Sequence, residues 1–189
     1  MQNITFTSSI RPLTLAKFEK ETANITRNVT RWDIEGAKKG ISAKTDRIMD
    51  CTALGLTDGE KVFLMHITPD KSSDKAYFSK IVECIKNNID INSEYIQGLL
   101  VGSKKYSRES QIGYNNFVKF LKEQKVPFSE LKGGETVHKI GYHTSKDEWL
   151  VSNYDIDYRI RNGLTDAKSI LEQSFDKVKI NKLDDFAWT

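Results

Sequence analysis

The stretch TDRIMDCTALGLTDGEKVFLMH, Thr45 to His66, decides how this chain is read. Two apolar runs, Cys51–Leu56 and Val62–Ile67, flank Asp58-Gly59. An Asp-Gly pair between strand-like runs is a strong hairpin signal, because both central residues of a type I′ turn need positive φ. A two-residue turn there sets Leu56 against Lys61, Leu54 against Phe63 and Thr52 against Met65. The same count sets Cys51 against His66. Directly opposed side chains share a face with Cβ atoms about 4.5–5.5 Å apart, close enough for a thiol–imidazole pair. Ala53, Gly55, Val62 and Leu64 lie on that face, and Leu54, Leu56, Phe63 and Met65 on the other. A hairpin apolar on both faces belongs between two layers. The small Ala53 and Gly55 leave room beside the sulfur, or let another backbone come close. Cysteine is also a common small buried hydrophobe, so the register is what singles out this pair.

Composition bounds the rest. A chain of 189 residues, 38% hydrophobic and 29% charged, suits one soluble domain with a single substantial core. A net charge of +3 with no long Lys/Arg run gives no support for a nucleic-acid partner. Cys51 and Cys84 do not make a disulfide framework, and Cys84 falls within a helical apolar pattern, where packing explains it. No apolar run is long enough for a membrane span, and MQNITFTSSI lacks a signal-peptide pattern. The sequons at Asn3, Asn24 and Asn28 are therefore expected to stay unmodified. His138 and His143 are an odd number of residues apart in one strand and point to opposite faces. With no zinc-type spacing, no nucleophile elbow and no Gly-rich phosphate loop, neither a metal nor a cofactor is expected.

Around the hairpin, Ile4, Phe6 and Ile10 alternate as an edge strand, and Leu13–Ile25 has a weak helical pattern. Trp32 and Ile34 anchor the segment leading into the hairpin, and Lys38-Lys39-Gly40 reads as a turn. After the hairpin, Pro69–Ser73 reads as a loop. Asp74 caps a helix over Lys75–Asn88 whose apolar stripe is Phe78, Ile81, Val82 and Ile85. Tyr95–Val101 reads as a buried strand ending at Gly102-Ser103. Ser107 or Ser110 caps a helix to about Lys125, buried through Phe117, Phe120 and Leu121. Strands come next at Val126–Leu131, Thr136–His143 and Trp149–Asp155, the last two joined by the turn Ser145–Glu148. A final helix runs from Thr165 or Asp166 to about Lys177, and Val178–Ile180 closes the sheet. The expected class is α+β, a mixed β-sheet or β-sandwich core with helices packed outside.

The Thr45–His66 segment resembles the active-site segment of the protein-glutamine deamidases, the family of the chemotaxis receptor deamidase CheD and the catalytic domain of cytotoxic necrotizing factor. Members carry a Thr six residues before the Cys, then a hairpin, then a His; here these are Thr45, Cys51 and His66. The resemblance covers about Lys44 to Asn153 within one domain spanning 1–189, with residues 1–40 as an N-terminal extension. CheD proteins have Gly-Ser before the Cys and a longer hairpin. Here Met49-Asp50 precedes it and the hairpin is compact, closer to the toxin branch.

The resemblance implies a Cys51 nucleophile, a His66 base and Thr45 orienting that base through its hydroxyl or backbone carbonyl, with no cofactor. It further implies a protein substrate. In the toxin branch this is a host regulatory protein such as a small GTPase, reached by a secreted effector. In the CheD branch it is a chemoreceptor in the bacterial cytosol. A monomer with no membrane or nucleic-acid partner is expected. A silent binding module on the same fold would keep the apolar hairpin without needing both Cys51 and His66.

Overall fold

Inward-pointing apolar residues, alternating along most strands, stack two sheets on one another. The computed structural model describes residues 9–25, 27–28, 34–38, 43–102, 107–132, 138–143, 145–164 and 176–177. In chain order its elements begin β1 (Ser9–Pro12), α1 (Leu15–Glu21), β2 (Arg27–Asn28), β3 (Ile34–Lys38), β4 (Ala43–Ile48), β5 (Thr52–Thr57) and β6 (Lys61–Ile67). Then come α2 (Pro69–Ser73), α3 (Lys75–Asn88), β7 (Gln97–Gly102), α4 (Arg108–Glu123) and β8 (Phe128–Lys132). Last are β9 (His138–His143), β10 (Glu148–Ser152), α5 (Tyr154–Arg161) and β11 (Asp176–Lys177).

Among the described residues the first sheet has the order β1-β10-β9-β4-β2 and the second β11-β8-β7-β5-β6-β3. Both sheets are mixed. β1 runs parallel to β10, β2 to β4, and β7 to β8 through the α4 crossover, while the other pairs are antiparallel. The class is α+β, as expected.

Three apolar clusters define the layers. Between the sheets lie Ala43, Ile48, Ile140, Tyr142, Trp149 and Val151 from the first, against Ala53, Val62, Leu64, Leu99 and Val101 from the second. The outer face of the second sheet, carrying Leu54, Leu56, Phe63, Met65 and Leu100, is covered by Ile81 and Ile85 of α3 and Phe117 and Leu121 of α4. On the outer face of the first sheet, Leu150 packs against Leu13 and Phe18. Both faces of the β5–β6 hairpin are therefore buried. Burial of a large aliphatic side chain stabilises by about 1.5–3 kcal/mol, so these paired faces hold the hairpin from both sides.

The local signals place most elements. Asp74 caps α3 by accepting from Tyr77 N at 2.6 Å, and Ser107 rather than Ser110 caps α4, accepting from Ser110 N at 3.2 Å. Phe78 and Phe117 meet edge to face, centroids 5.0 Å apart, where the two helices share the sheet. Cys84 is half-buried against the same cluster.

Several expectations are corrected. Pro69–Ser73 is the helix α2, not a loop, with Pro at its start where no N–H is needed. The strand expected at Trp149–Asp155 ends at Ser152, because Asn153 caps α5 through its Oδ1, 2.7 Å from Ile156 N. The helix expected to reach Lys177 does not, since Asp176 and Lys177 pair with β8 as β11. Strands β3 and β4 stand where no strand was expected, β3 pairing with β6 and β4 with β9. Ile4, Phe6, Trp32, Lys39-Gly40, Ser103, Thr136-Val137, Thr165–Phe175 and Val178–Ile180 lie outside the described residues. No described helix is long and apolar enough to cross a membrane.

Candidate active site

The hairpin forms, two residues out of the expected register. Thr57 pairs with Val62, Leu56 with Phe63, Leu54 with Met65 and Thr52 with Ile67. The residue opposite His66 is Ala53, not Cys51. The cause is Asp58. Rather than entering the turn centre, it stays in line with the strand and its N–H donates to Lys61 O at 3.3 Å. Its Oδ1 accepts from Glu60 N and Lys61 N at 3.0 and 2.7 Å. Gly59 and Glu60 thus form the turn, and only Gly59 has positive φ (90°), the type II′ requirement at the first central position. Asp58 Oδ2 also accepts from Asp90 N at 3.0 Å and its carbonyl from Ser93 Oγ at 2.9 Å, which ties the turn to the loop after α3.

A shift of two keeps every side chain on its original face. His66 therefore points between the sheets with Val62 and Leu64, and is 2% exposed. There it meets Thr45 of β4, on the opposing sheet, 1% exposed. Thr45 Oγ1 lies 2.8 Å from His66 Nδ1. A β-bulge between Thr45 and Ile48, with Arg47 at φ 57°, lets both of those residues face inward. Bulges next to sites re-aim side chains in this way. A buried hydrogen bond of this kind contributes about 1 kcal/mol, and losing one partner costs about 1–3 kcal/mol.

Cys51 sits where the chain leaves the first sheet at Ile48 and enters the second at Thr52. It is half-buried. It precedes Ala53 by two residues, so its relation to His66 is diagonal; on a regular ladder that means Cα atoms about 7–8 Å apart, with Cβ atoms somewhat nearer. Gly102 closes β7 beside it, pairing with Thr52. Gly102 has φ 134°, and a Cβ there would lie 2.2 Å from Cys51 O, so only glycine admits this backbone contact. The room expected over Gly55 is filled instead: a Cβ there would lie 2.2 Å from a ring carbon of Trp149. The structure thus joins Thr45 and His66 directly and brings Cys51 to the same end of the sandwich.

Sequence reasoning missed a second buried pair at this end. His138 heads β9, its Cα paired with Ile48, and is 1% exposed. Its Nδ1 is 3.1 Å from Asn153 Nδ2, and burial pushes its pKa down to about 4, so it is neutral at pH 7. The signal was the N-cap pattern of Asn153 followed by Asp155 and Asp157, which ends β10 early. His143 faces the other way, its Nε2 2.9 Å from Glu21 O, as the odd spacing predicts. Among the described residues no cluster of three or more His, Cys, Asp or Glu side chains has metal-binding geometry.

Thr45 Oγ1 and His66 Nδ1 share one hydrogen bond; in the tautomer whose Nδ1–H donates to Thr45 Oγ1, Nε2 is the basic nitrogen. Compared with known proteins, the chain matches no family model and no curated protein sequence.

Proposed function

We propose that this chain is a protein-glutamine deamidase with Cys51 as nucleophile, His66 as general base and acid, and Thr45 as the residue that orients His66. The observation that carries the reading is the 2.8 Å Thr45–His66 hydrogen bond across the two sheets, with Cys51 six residues after Thr45 on the connection between them. With Nδ1–H held by Thr45, Nε2 takes the thiol proton, and the thiolate attacks the side-chain carboxamide carbon of a target glutamine. The C–S bond forms and the oxygen takes the negative charge. The C–N bond then breaks as His66 returns the proton to departing ammonia. His66 next deprotonates water, which attacks the thioester; the C–S bond breaks, leaving glutamate and the thiol. An amine in place of water gives transglutamination as a side reaction.

We assign the substrate to host regulatory proteins, small GTPases among them, and the protein to the secreted effectors. The short β5–β6 hairpin supports this branch over the longer hairpin of the chemoreceptor deamidases. The test incubates the protein with a panel of small GTPases and chemoreceptor cytoplasmic domains, following ammonia release and Gln-to-Glu conversion by peptide mass spectrometry. Conversion by the wild type and none by Cys51→Ser supports the reading. Equal conversion by both removes Cys51 from the mechanism.

A further inference from the structure

The reaction proposed above creates an oxyanion, and a buried neutral donor on the inter-sheet side, His138, suits it. Asn153 decides the point. Its Oδ1 caps α5 by accepting from Ile156 N at 2.7 Å, so the atom it turns to His138 Nδ1, at 3.1 Å, is the NH₂ group. Nδ1 must accept, and the ring proton is therefore on Nε2. That Nε2 is buried and has no hydrogen-bond partner among the described residues. A buried N–H without an acceptor is costly and rare, and such a group calls for a functional explanation. Its place suits one. His138 shares the inter-sheet face with Ile140 and Tyr142 and is paired across the ladder with Ile48, three residues before Cys51. Thr45, which holds His66, lies on the same strand as Ile48.

We propose that His138 is a further catalytic residue, its Nε2–H donating to the carbonyl oxygen of the substrate carboxamide and to the oxyanion that forms there. This rests on the Cys51 reading. His66 and His138 then divide the chemistry: one moves protons, and the other, kept neutral by burial, polarises the carbonyl without exchanging its proton. A neutral imidazole can serve as such an electrophile when its surroundings suppress protonation. The acceptor missing from the resting site is supplied by the substrate.

The test separates attack at a carbonyl from simple alkylation. Acylation of Cys51 by p-nitrophenyl acetate passes through an oxyanion, whereas alkylation by iodoacetamide displaces iodide and forms none. Loss of one oxyanion donor lowers rates by about 100- to 1,000-fold. His138→Leu is therefore expected to slow acylation by about that factor and to leave alkylation within about twofold of wild type. His138→Gln, which keeps a neutral N–H donor, should recover at least about tenfold of the loss. Should the Leu variant fail to fold, Asn153→Ser keeps an N-cap and removes the group that locks the tautomer. It is expected to slow acylation several-fold with alkylation unchanged. Equal losses in both reactions, no loss in either, or no acylation of Cys51 in the wild type overturns the assignment. If the panel of target proteins is not deamidated while acylation still depends on His138, the substrate reading fails and the donor stands. If deamidation proceeds with acylation indifferent to His138, the donor fails and the reading stands.

Discussion

Gly102→Ala is the substitution with which the geometry around Cys51 can be broken without touching Cys51. The glycine sits at φ 134°, and a Cβ built on it lies 2.2 Å from Cys51 O and 3.0 Å from Thr52 Cα. Both obstacles are backbone, so no side chain can swing aside. Carbon–oxygen contacts settle at about 3.3 Å or more, so the two backbones must separate by about 1 Å. The backbone conformation alone costs about 1–3 kcal/mol for a residue with a Cβ. A displacement of about 1 Å at a reacting group lowers catalysis by about 100-fold. Denaturant unfolding measures the first effect. The second is read from the iodoacetamide labelling rate of Cys51, with Cys84 as internal reference. Cys84 lies half-buried in α3, its thiol pKa raised by burial, and its slow rate should not change. The variant is expected to lose more stability than the about 1–3 kcal/mol of the backbone conformation alone and to label Cys51 at least about tenfold more slowly, because the sulfur is carried away from His66. Wild-type stability with wild-type labelling would show that Gly102 does not set the Cys51 backbone, and the account of the site would fall with it.

Thr45→Val removes the hydroxyl that meets His66 at 2.8 Å and should lower deamidation about 10- to 1,000-fold, the range for orienting and tautomer-setting groups; a near-neutral result would assign the role to the Thr45 backbone. Gly55→Ala drives a methyl into the Trp149 ring, which Tyr142 already packs edge-on at 4.7 Å, so a thermal melt should report a loss of about 1–3 kcal/mol, and an unchanged melting point would contradict the packing. His138 gives a pH signature. Its ordinary pKa of 6.5 falls to about 4 in the fold, so between those values the unfolded chain takes up a proton that the folded chain refuses, and stability is lost as pH falls. At about 1.4 kcal/mol per pH unit the full loss is about 3 kcal/mol, and His138→Gln should flatten urea-derived stability over that window; parallel curves for the two proteins would refute the assignment.

The features legible in the sequence were chiefly periodic. The stripes of α3 and α4, the strand before Gly102 and the buried double-faced hairpin follow from side-chain spacing, and spacing survives folding because the layers select for it. Strand β4 escaped because its alternation is broken. Asp46 and Arg47 separate Thr45 from Ile48, and the bulge there puts Ile48 out of phase with a period-two pattern. Helix α5 escaped for a different reason. Asn153 carries the capping signal, but Trp149 to Val151 supply a strand pattern that runs straight into it. In both places the departure from the pattern is local, a bulge in β4 and an N-cap at Asn153, and lies beside the candidate site. Functional positions are where local rules and the global pattern part company.

The hairpin register makes the division between the legible and the hidden more exact in physical terms. An Asp-Gly pair allows two closures: both residues at the turn centre, or Asp kept in the strand as a side-chain cap with Gly first in the turn. Partners elsewhere in the chain decided between them. More than thirty residues on, Asp90 N donates to the Asp58 carboxylate and holds it in the capping position, and Ser93 Oγ donates to the Asp58 backbone carbonyl. No local pattern contains that information. The two closures differ by two residues in register, and side chains repeat with period two, so the error cannot move Cys51 or His66 to the wrong side of the sheet. The face that each side chain takes was therefore recoverable from the hairpin alone, while its partner across the ladder was not. Thr45 supplies the contact that the shift removed. It reaches His66 from the opposing sheet, so the imidazole is held by a tertiary contact rather than by its neighbour in the hairpin. A site built that way tolerates changes at the turn that keep an even register, and an odd insertion between Gly59 and Glu60 would turn His66 away from Thr45 and from the inter-sheet space altogether.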